Sequence, residues 1–301
     1  MEKLVQEIKT GVFGNYTENV SLKKYTTYKV GGVARIIVYP KDEQQLINLL
    51  KKIKKKNIKY KILGNGSNLL FSDKKYSGVL IKLDEFNKLE IQNNYITVGA
   101  GYPLMKLASV AIRKSLAGLE FASGIPGTIG GAVFMNAGAY QSDMGYIVKK
   151  IKVLTPDFKI ISMTNSELDF HYRTSFLKTH PEYICLEATL ALRPGKKDKL
   201  QAVARDRKQR RLKEQPLEYP SAGSVFRNPP GQAAGKLIDD LGLKGLSRGD
   251  AQISTKHANF IINKGNAKAK DIKELMEFTK NLVKENYNID LKIEQEEVNW
   301  E

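Results

Sequence analysis

The sequence predicts an α+β fold, and three observations carry the prediction. Residues 33–63 read strand, helix, strand and run into the glycine turn GNGSNLL (64–70), the grammar of a βαβ unit. Residues 77–101 follow as a series of strands. Around Pro194-Gly195 the composition shifts to a long charged helix, and the domain boundary is placed there. A chain of 301 residues suffices for a first region, 1–194, in two lobes of about 22–80 and 81–194, and a second domain, 195–301.

Residues 1–20 give a short helix and an extended lead-in. VARIIVYP is a β-branched strand closed by Pro40. Asp42 caps the next helix, whose Leu46, Leu49, Leu50 and Ile53 recur on one face until Asn57 ends it. KYKIL is a short strand before the glycine turn; GVLIKL, LEIQNN and YITVGAG are strands, the last two joined at Asn93-Asn94. Leu104–Leu116 is a helix. Gly124–Gly138 then sets five glycines and Pro126 in fifteen residues, a composition read as a glycine-lined wall instead of a packed helix or strand. Strands at Ile147–Leu154 and Lys159–Met163 flank the turn Thr155-Pro156-Asp157. The polar island HYRTSFL (171–177) and the strand Tyr183–Leu192 complete the region. The charged helix ends before Pro216, and a helix over Gly231–Leu241 and a strand pair near 251–262 follow. The closing helix opens on Asp271-x-x-Glu274 and buries Ile272, Leu275, Met276, Leu282 and Val283.

With 42% apolar and 27% charged residues the chain is of ordinary globular composition. No eighteen-residue apolar run exists, so no membrane span is expected. MEKLVQEIKT lacks the apolar stretch of a signal peptide. One cysteine, Cys185, allows no intrachain disulfide, and three scattered histidines add no zinc-site spacing, so no metal is expected and the compartment is read as cytoplasmic. The net charge of +17 admits two readings: nucleic-acid binding, or a lysine-rich background that draws small anions into a cleft. KKIKKK (51–56) and RDRKQRRLK (205–213) lie on helices without interleaved aromatics, so both read as solvated faces and no nucleic-acid partner is expected.

Bare main chain at 124–138, with Ile125, Ile129, Val133, Phe134 and Met135 interleaved, suits a flat or phosphorylated ligand. The turn from Gly64 fails the dinucleotide fingerprint, because its sixth position is Leu69; GQAAGK (231–236) is one residue short of a P-loop and precedes Leu237. YPSAGSVFRN (219–228) is a second glycine-centred turn carrying Ser221 and Ser224. No Gly-x-Ser-x-Gly elbow and no assigned His–Asp pair accompany it, which argues against a hydrolase triad. A serine can instead deliver its proton to a developing carbanion when the charge is offset. Arg173, among His171, Tyr172, Thr174 and Ser175, has the planar fork that fits a carboxylate, though a surface ion pair explains one arginine equally well. KIEQEE (292–297) reads, on residues alone, as a solvated tail.

The set YKVGG (28–32), GNGSNLL (64–70), GIPGTIGGAVFMNAGAY (124–140), YRTSF (172–176), YPSAGSVFRNPPGQAAGKLI (219–238) and STKHANFIIN (254–263) resembles the UDP-N-acetylenolpyruvoylglucosamine reductase family, in its shorter, type II form. The match runs from about Leu22 to Glu294. The resemblance implies a vanillyl-alcohol-oxidase-like (PCMH-type) two-part FAD-binding region and a C-terminal α+β substrate domain, in a monomer. It implies a flavoenzyme of peptidoglycan precursor synthesis: FAD takes a hydride from NADPH and passes it to UDP-GlcNAc-enolpyruvate, giving UDP-N-acetylmuramate. Carried over by motif, Ser224 is the proton donor, and Arg173 with Glu294 stabilises charge at the carboxylate. Gly64, Asn65, Gly66, Ser67, Asn68 and Leu69 hold the flavin with Gly124, Ile125, Pro126, Gly127, Thr128, Gly130, Gly131, Asn136, Ala137 and Gly138. Tyr219, Arg227, Asn228, Lys256, His257 and Asn259 serve the UDP-sugar. The family ends on Glu-Val, whereas here Glu294 is followed by Gln295 and Glu297 by Val298; the ungapped upstream segment favours Glu294. Two rivals remain: a flavoprotein oxidase of a small alcohol, which has no need of GSVFRNP or STKHANF, and an RNA- or anion-binding protein.

Overall fold

The computed structural model describes residues 1–301, and the chain forms two compact units. The first comprises 1–18, 36–65 and 77–209; the second comprises 19–35, 66–76 and 210–301. Compactness thus divides the chain at five points. The apolar residues explain the division: Tyr28, Val30 and Leu70 join the core made by Val225, Phe226, Ile238 and Met276, and the first unit builds a core of its own from residues such as Leu4, Ile36, Val98 and Leu190. No helix is long and apolar enough to cross a membrane.

The helix α1 (Glu2–Lys9) buries Leu4, Val5 and Ile8. Strands β1 (Asn15–Ser21) and β2 (Val33–Tyr39) follow, then α2 (Glu43–Lys55). Asp42 caps α2 by accepting from the Gln45 amide at 2.8 Å, and Leu46, Leu49, Leu50 and Ile53 are its buried stripe, as the spacing predicts. After β3 (Tyr60–Ile62), β4 (Leu69–Phe71) and β5 (Tyr76–Ile81), the sheet order is β1-β2-β5-β3, with β3 and β5 parallel. Strands β6 (Leu89–Gln92) and β7 (Tyr95–Gly99) form the expected hairpin, with Asn93 at φ 54°. They are the edge of a five-stranded antiparallel sheet of order 160–164, 148–154, 184–191, β7, β6.

Helix α3 (Leu104–Arg113) stops short of the predicted Leu116, because Ser115 turns to φ 59° and Leu116 pairs with Pro194. A larger correction falls on 124–138. The segment contains a helix, α4 (Ile129–Met135), and none of its five glycines has a positive φ; the left-handed residue is Asn136, at φ 43°. Thr128 supplies what the glycine count hid, an N-cap whose Oγ1 accepts from the Gly131 amide. The one-turn helix α5 (Phe176–Thr179) and the charged α6 (Lys197–Glu214), with only Leu200 buried, complete the region.

In the second unit, α7 (Ala234–Asp240) precedes a three-stranded antiparallel sheet whose strand pair 251–253 and 261–263 was expected. Helix α8 (Ala269–Tyr287) starts two residues earlier than predicted: Asp271 is its third residue, accepting from the Lys268 amide at 3.0 Å. Asp73 takes the next two amides, of Ala269 and Lys270, at 3.0 and 3.1 Å. The tail is not a solvated one. Glu296–Val298 pairs in parallel with β4, and Trp300 Nε1 donates to the Leu70 carbonyl at 2.9 Å.

Candidate active site

In the first unit the two glycine stretches meet. A Cβ on Gly64 would stand 2.8 Å from Thr128 Oγ1, and Asn65 Nδ2 donates to the Pro126 carbonyl at 3.4 Å. The Gly127–Gly130 segment is bound to 100–104 by main-chain bonds from Leu104 to Gly127, Ile129 to Tyr102 and Gly130 to Ala100, of 2.8–3.0 Å. Beside it opens a cavity of about 470 Å³ lined by Asn65, Lys82, Asp84, Tyr102 and Lys106 among others. Lys82 is nearly buried there, and its ammonium donates to the Gly64 carbonyl at 2.9 Å and pairs with Asp84 at 3.2 Å. Sequence reading missed Lys82 and Tyr102. The signal lay in Gly99-Ala100-Gly101, which reads as the end of a strand while it also frees main chain for close approach.

Ser123 Oγ, just before this segment, is buried with no partner in the chain. Two lysines and bare main chain at Gly101 line the cavity, and a buried orphan hydroxyl stands at the start of the glycine segment; these groups fit a cofactor with polar edges and phosphates, which is the chemistry of FAD. Ile125 packs against the core, and Asn136 works on the chain itself: its Nδ2 donates to the His171 carbonyl and its Oδ1 accepts from the Gly145 amide, both at 2.9 Å. Ala137 accepts the Met144 amide, and a Cβ on Gly138 would press on Asp143. Ser175 Oγ donates to the Phe134 carbonyl at 2.8 Å. Arg173 is therefore carried on a segment pinned at both ends. It sits at φ 58°, with its guanidinium 5.2 Å from the Tyr172 ring. A non-glycine residue there costs of order 1 kcal/mol, and such conformations cluster at functional sites.

In the second unit, Gly66 at φ 62° approaches Tyr25 and Thr26 so closely that no Cβ fits. Asn68 Nδ2 donates to the Glu294 carbonyl at 3.0 Å, and the Glu296 amide donates to Asn68 at 2.9 Å. Ser224 follows Gly223, at φ 74°, and leads into main chain bonded on both sides. The Val225 amide donates to Asn259, and the Glu294 amide donates to the Val225 carbonyl at 2.8 Å. The main chain of Glu294 is thereby held against Val225, the residue after Ser224. Glu297 instead holds Lys273 at 2.9 Å, so the structure gives the two competing glutamates different work.

The residues read as UDP-sugar contacts divide. Arg227 Nε is buried without a partner, which suits an anionic ligand, and Tyr219 lies 5.0 Å from the Lys264 ammonium. Asn259 is a scaffold: its amide donates to the Phe226 carbonyl and accepts from the Phe226 amide, at 2.8 and 2.9 Å. Asn228 accepts from the Ala234 amide at the start of α7. Lys256 donates to the Leu212 carbonyl. Burial keeps the His257 imidazole below its ordinary value, hence neutral at pH 7, and its Nδ1 accepts from the Asn259 amide at 3.2 Å.

The family model described as "FAD binding domain" matches residues 34–164. Together with the fold, this makes the chain a flavoprotein with a two-part, PCMH-type FAD-binding region, as expected. A second model, "UDP-N-acetylenolpyruvoylglucosamine reductase, C-terminal domain", matches residues 215–298. UDP-N-acetylenolpyruvoylglucosamine reductase of Halalkalibacterium halodurans is 46% identical over 98% of each chain, and that of Bacillus subtilis 43% over the same shares. The crystal structure of UDP-N-acetylenolpyruvylglucosamine reductase from Thermus caldophilus is 37% identical, covering 95% of this chain and 98% of that one with a TM-score of 0.81. The chain belongs to the UDP-N-acetylenolpyruvoylglucosamine reductase family.

Proposed function

We infer that this chain is an oxidoreductase of peptidoglycan precursor synthesis, reducing UDP-GlcNAc-enolpyruvate to UDP-N-acetylmuramate with NADPH and FAD. The observation that carries it is full-length likeness to enzymes of that name, 46% identical over 98% of both chains. FAD, when bound, accepts a hydride from NADPH and supplies it to the enolpyruvyl group. Residues 64–69 and the segment 124–138 hold FAD, with Lys82 added to those read from sequence.

Adding hydride to an enol ether leaves charge on the carbon beside the carboxylate, so donors and cations at that carboxylate lower the barrier. Arg173 supplies the cationic fork, and Glu294 adds a hydrogen bond when its carboxyl carries a proton. Ser224 gives its hydroxyl proton to the carbon. The main-chain bond between Glu294 and Val225, the residue after Ser224, supports Glu294 over Glu297. Arg227 and Tyr219 are retained for the UDP-sugar with Lys256, His257 and Asn228, and Asn259 acts by holding the Phe226 main chain. We assign 1–194 to FAD and 195–301 to substrate, in a cytoplasmic monomer whose ligands are small molecules.

The test is rapid-reaction spectroscopy of the yellow holoprotein. NADPH bleaches the flavin and the enolpyruvyl substrate restores it. Ser224→Ala leaves bleaching intact and slows recolouring by about 10²–10⁴-fold. Equal slowing of both halves would remove Ser224 from the role given to it.

A further inference from the structure

We propose that Gln295, braced by Tyr28, is a positioning residue that sets the Ser224 turn for proton delivery. The proposal rests on the reading of Ser224 as the proton donor. Its starting point is chemical: Gln295 carries a primary amide and is only 4% exposed. A buried primary amide is costly unless its donors and acceptor are all engaged.

The donors are engaged on the turn and the acceptor on Tyr28. Gln295 Nε2 lies 3.3, 3.3 and 3.4 Å from the carbonyls of Ala222, Gly223 and Ser224, the three residues of the turn. Its Oε1 accepts from the Tyr28 hydroxyl at 3.0 Å. Tyr28 has no exposed surface, and its own carbonyl accepts from Asn263 Nδ2 at 3.0 Å. Burial drives the Tyr28 phenol far above its ordinary range, so it remains a donor at every working pH.

Backbone geometry fixes the direction of the amide. The Glu294 amide is bonded to Val225 and the Glu296 amide to Asn68, so residue 295 is held between two anchored neighbours. The Gln295 side chain faces the turn, where its Nε2 meets the three carbonyls. Gly223, at φ 74°, gives the turn little stiffness of its own, and three carbonyls gathered by one amide restore it. A displacement of about 1 Å at a reacting group can cost on the order of 10²-fold in rate, so holding this turn bears directly on the reaction.

The experiment compares Tyr28→Phe, Gln295→Met and Ser224→Ala holoproteins in the two half-reactions, with hydrogen–deuterium exchange over Ala222–Phe226. Tyr28→Phe deletes one oxygen, so it decides the question if Gln295→Met fails to fold. Both variants are expected to reduce flavin with NADPH at the parent rate, to reoxidise it about tenfold more slowly, and to exchange faster over the turn. Parent-like reoxidation, or equal slowing of both half-reactions, overturns the positioning role. If Ser224→Ala is slow while Tyr28→Phe and Gln295→Met are normal, only this proposal fails. If Ser224→Ala itself reoxidises normally, the proton-donor reading fails and this one with it.

Discussion

Cys185 faces Val153 across the central sheet of the first unit, and burial pushes its thiol up to about 12. Thiolate is the reactive species, so at pH 8 almost none is present. The native protein is therefore expected to gain no mass from iodoacetamide over an hour and one adduct after unfolding. A native adduct by mass spectrometry would contradict this burial. Single residues also mark how far the sequence could be read. Ser224 was legible as a candidate because it stands in a short motif, whereas Glu294 entered only through the family resemblance; Asn136 and Asn259, read as ligand contacts, have amides that satisfy main chain. Asparagine in a glycine-rich motif looks the same whether it faces a ligand or a neighbouring loop; only the position of residues 35 and 33 places away separates the two.

At the scale of elements, α4 shows how composition can mislead. Gly130 and Gly131 masked a helix, because glycine lowers propensity by about 1 kcal/mol per residue. Tertiary docking on Ala100 and the Thr128 cap outweigh that loss. Thr128→Ala is expected to lower unfolding stability by about 1 kcal/mol, read from a denaturant melt. Gly64→Ala places a methyl against the same Oγ1, so it should remove the cap and crowd the cavity wall together. Flavin retention after gel filtration should then fall further for Gly64→Ala than for Thr128→Ala; equal retention would separate Gly64 from the flavin. Long periodic elements such as α2 and the β6–β7 hairpin were legible, since their pattern repeats within one window. β4 was not: three residues inside a glycine motif become a strand only because a partner arrives from far along the chain.

For the whole molecule, the decisive fact is that the second unit is discontinuous. Its core includes Tyr28, Val30 and Leu70, and Asp73 caps α8. A fragment of residues 195–301, the domain suggested by sequence, lacks all four. It is expected to show no cooperative thermal transition and a collapsed amide spectrum, whereas a sharp melt would make 19–35 and 66–76 dispensable.

The same threading bears on how the protein is made. Ser72 bonds to Asn299, 227 positions later, and β4 finds its parallel partner only at Glu296–Val298. A ribosome delivers the early partner long before the late one, so through most of translation this edge is open to wrong pairings. Stalled nascent chains ending near residue 290 should consequently depend on chaperones and be cut readily by protease, even though the first unit has emerged in full.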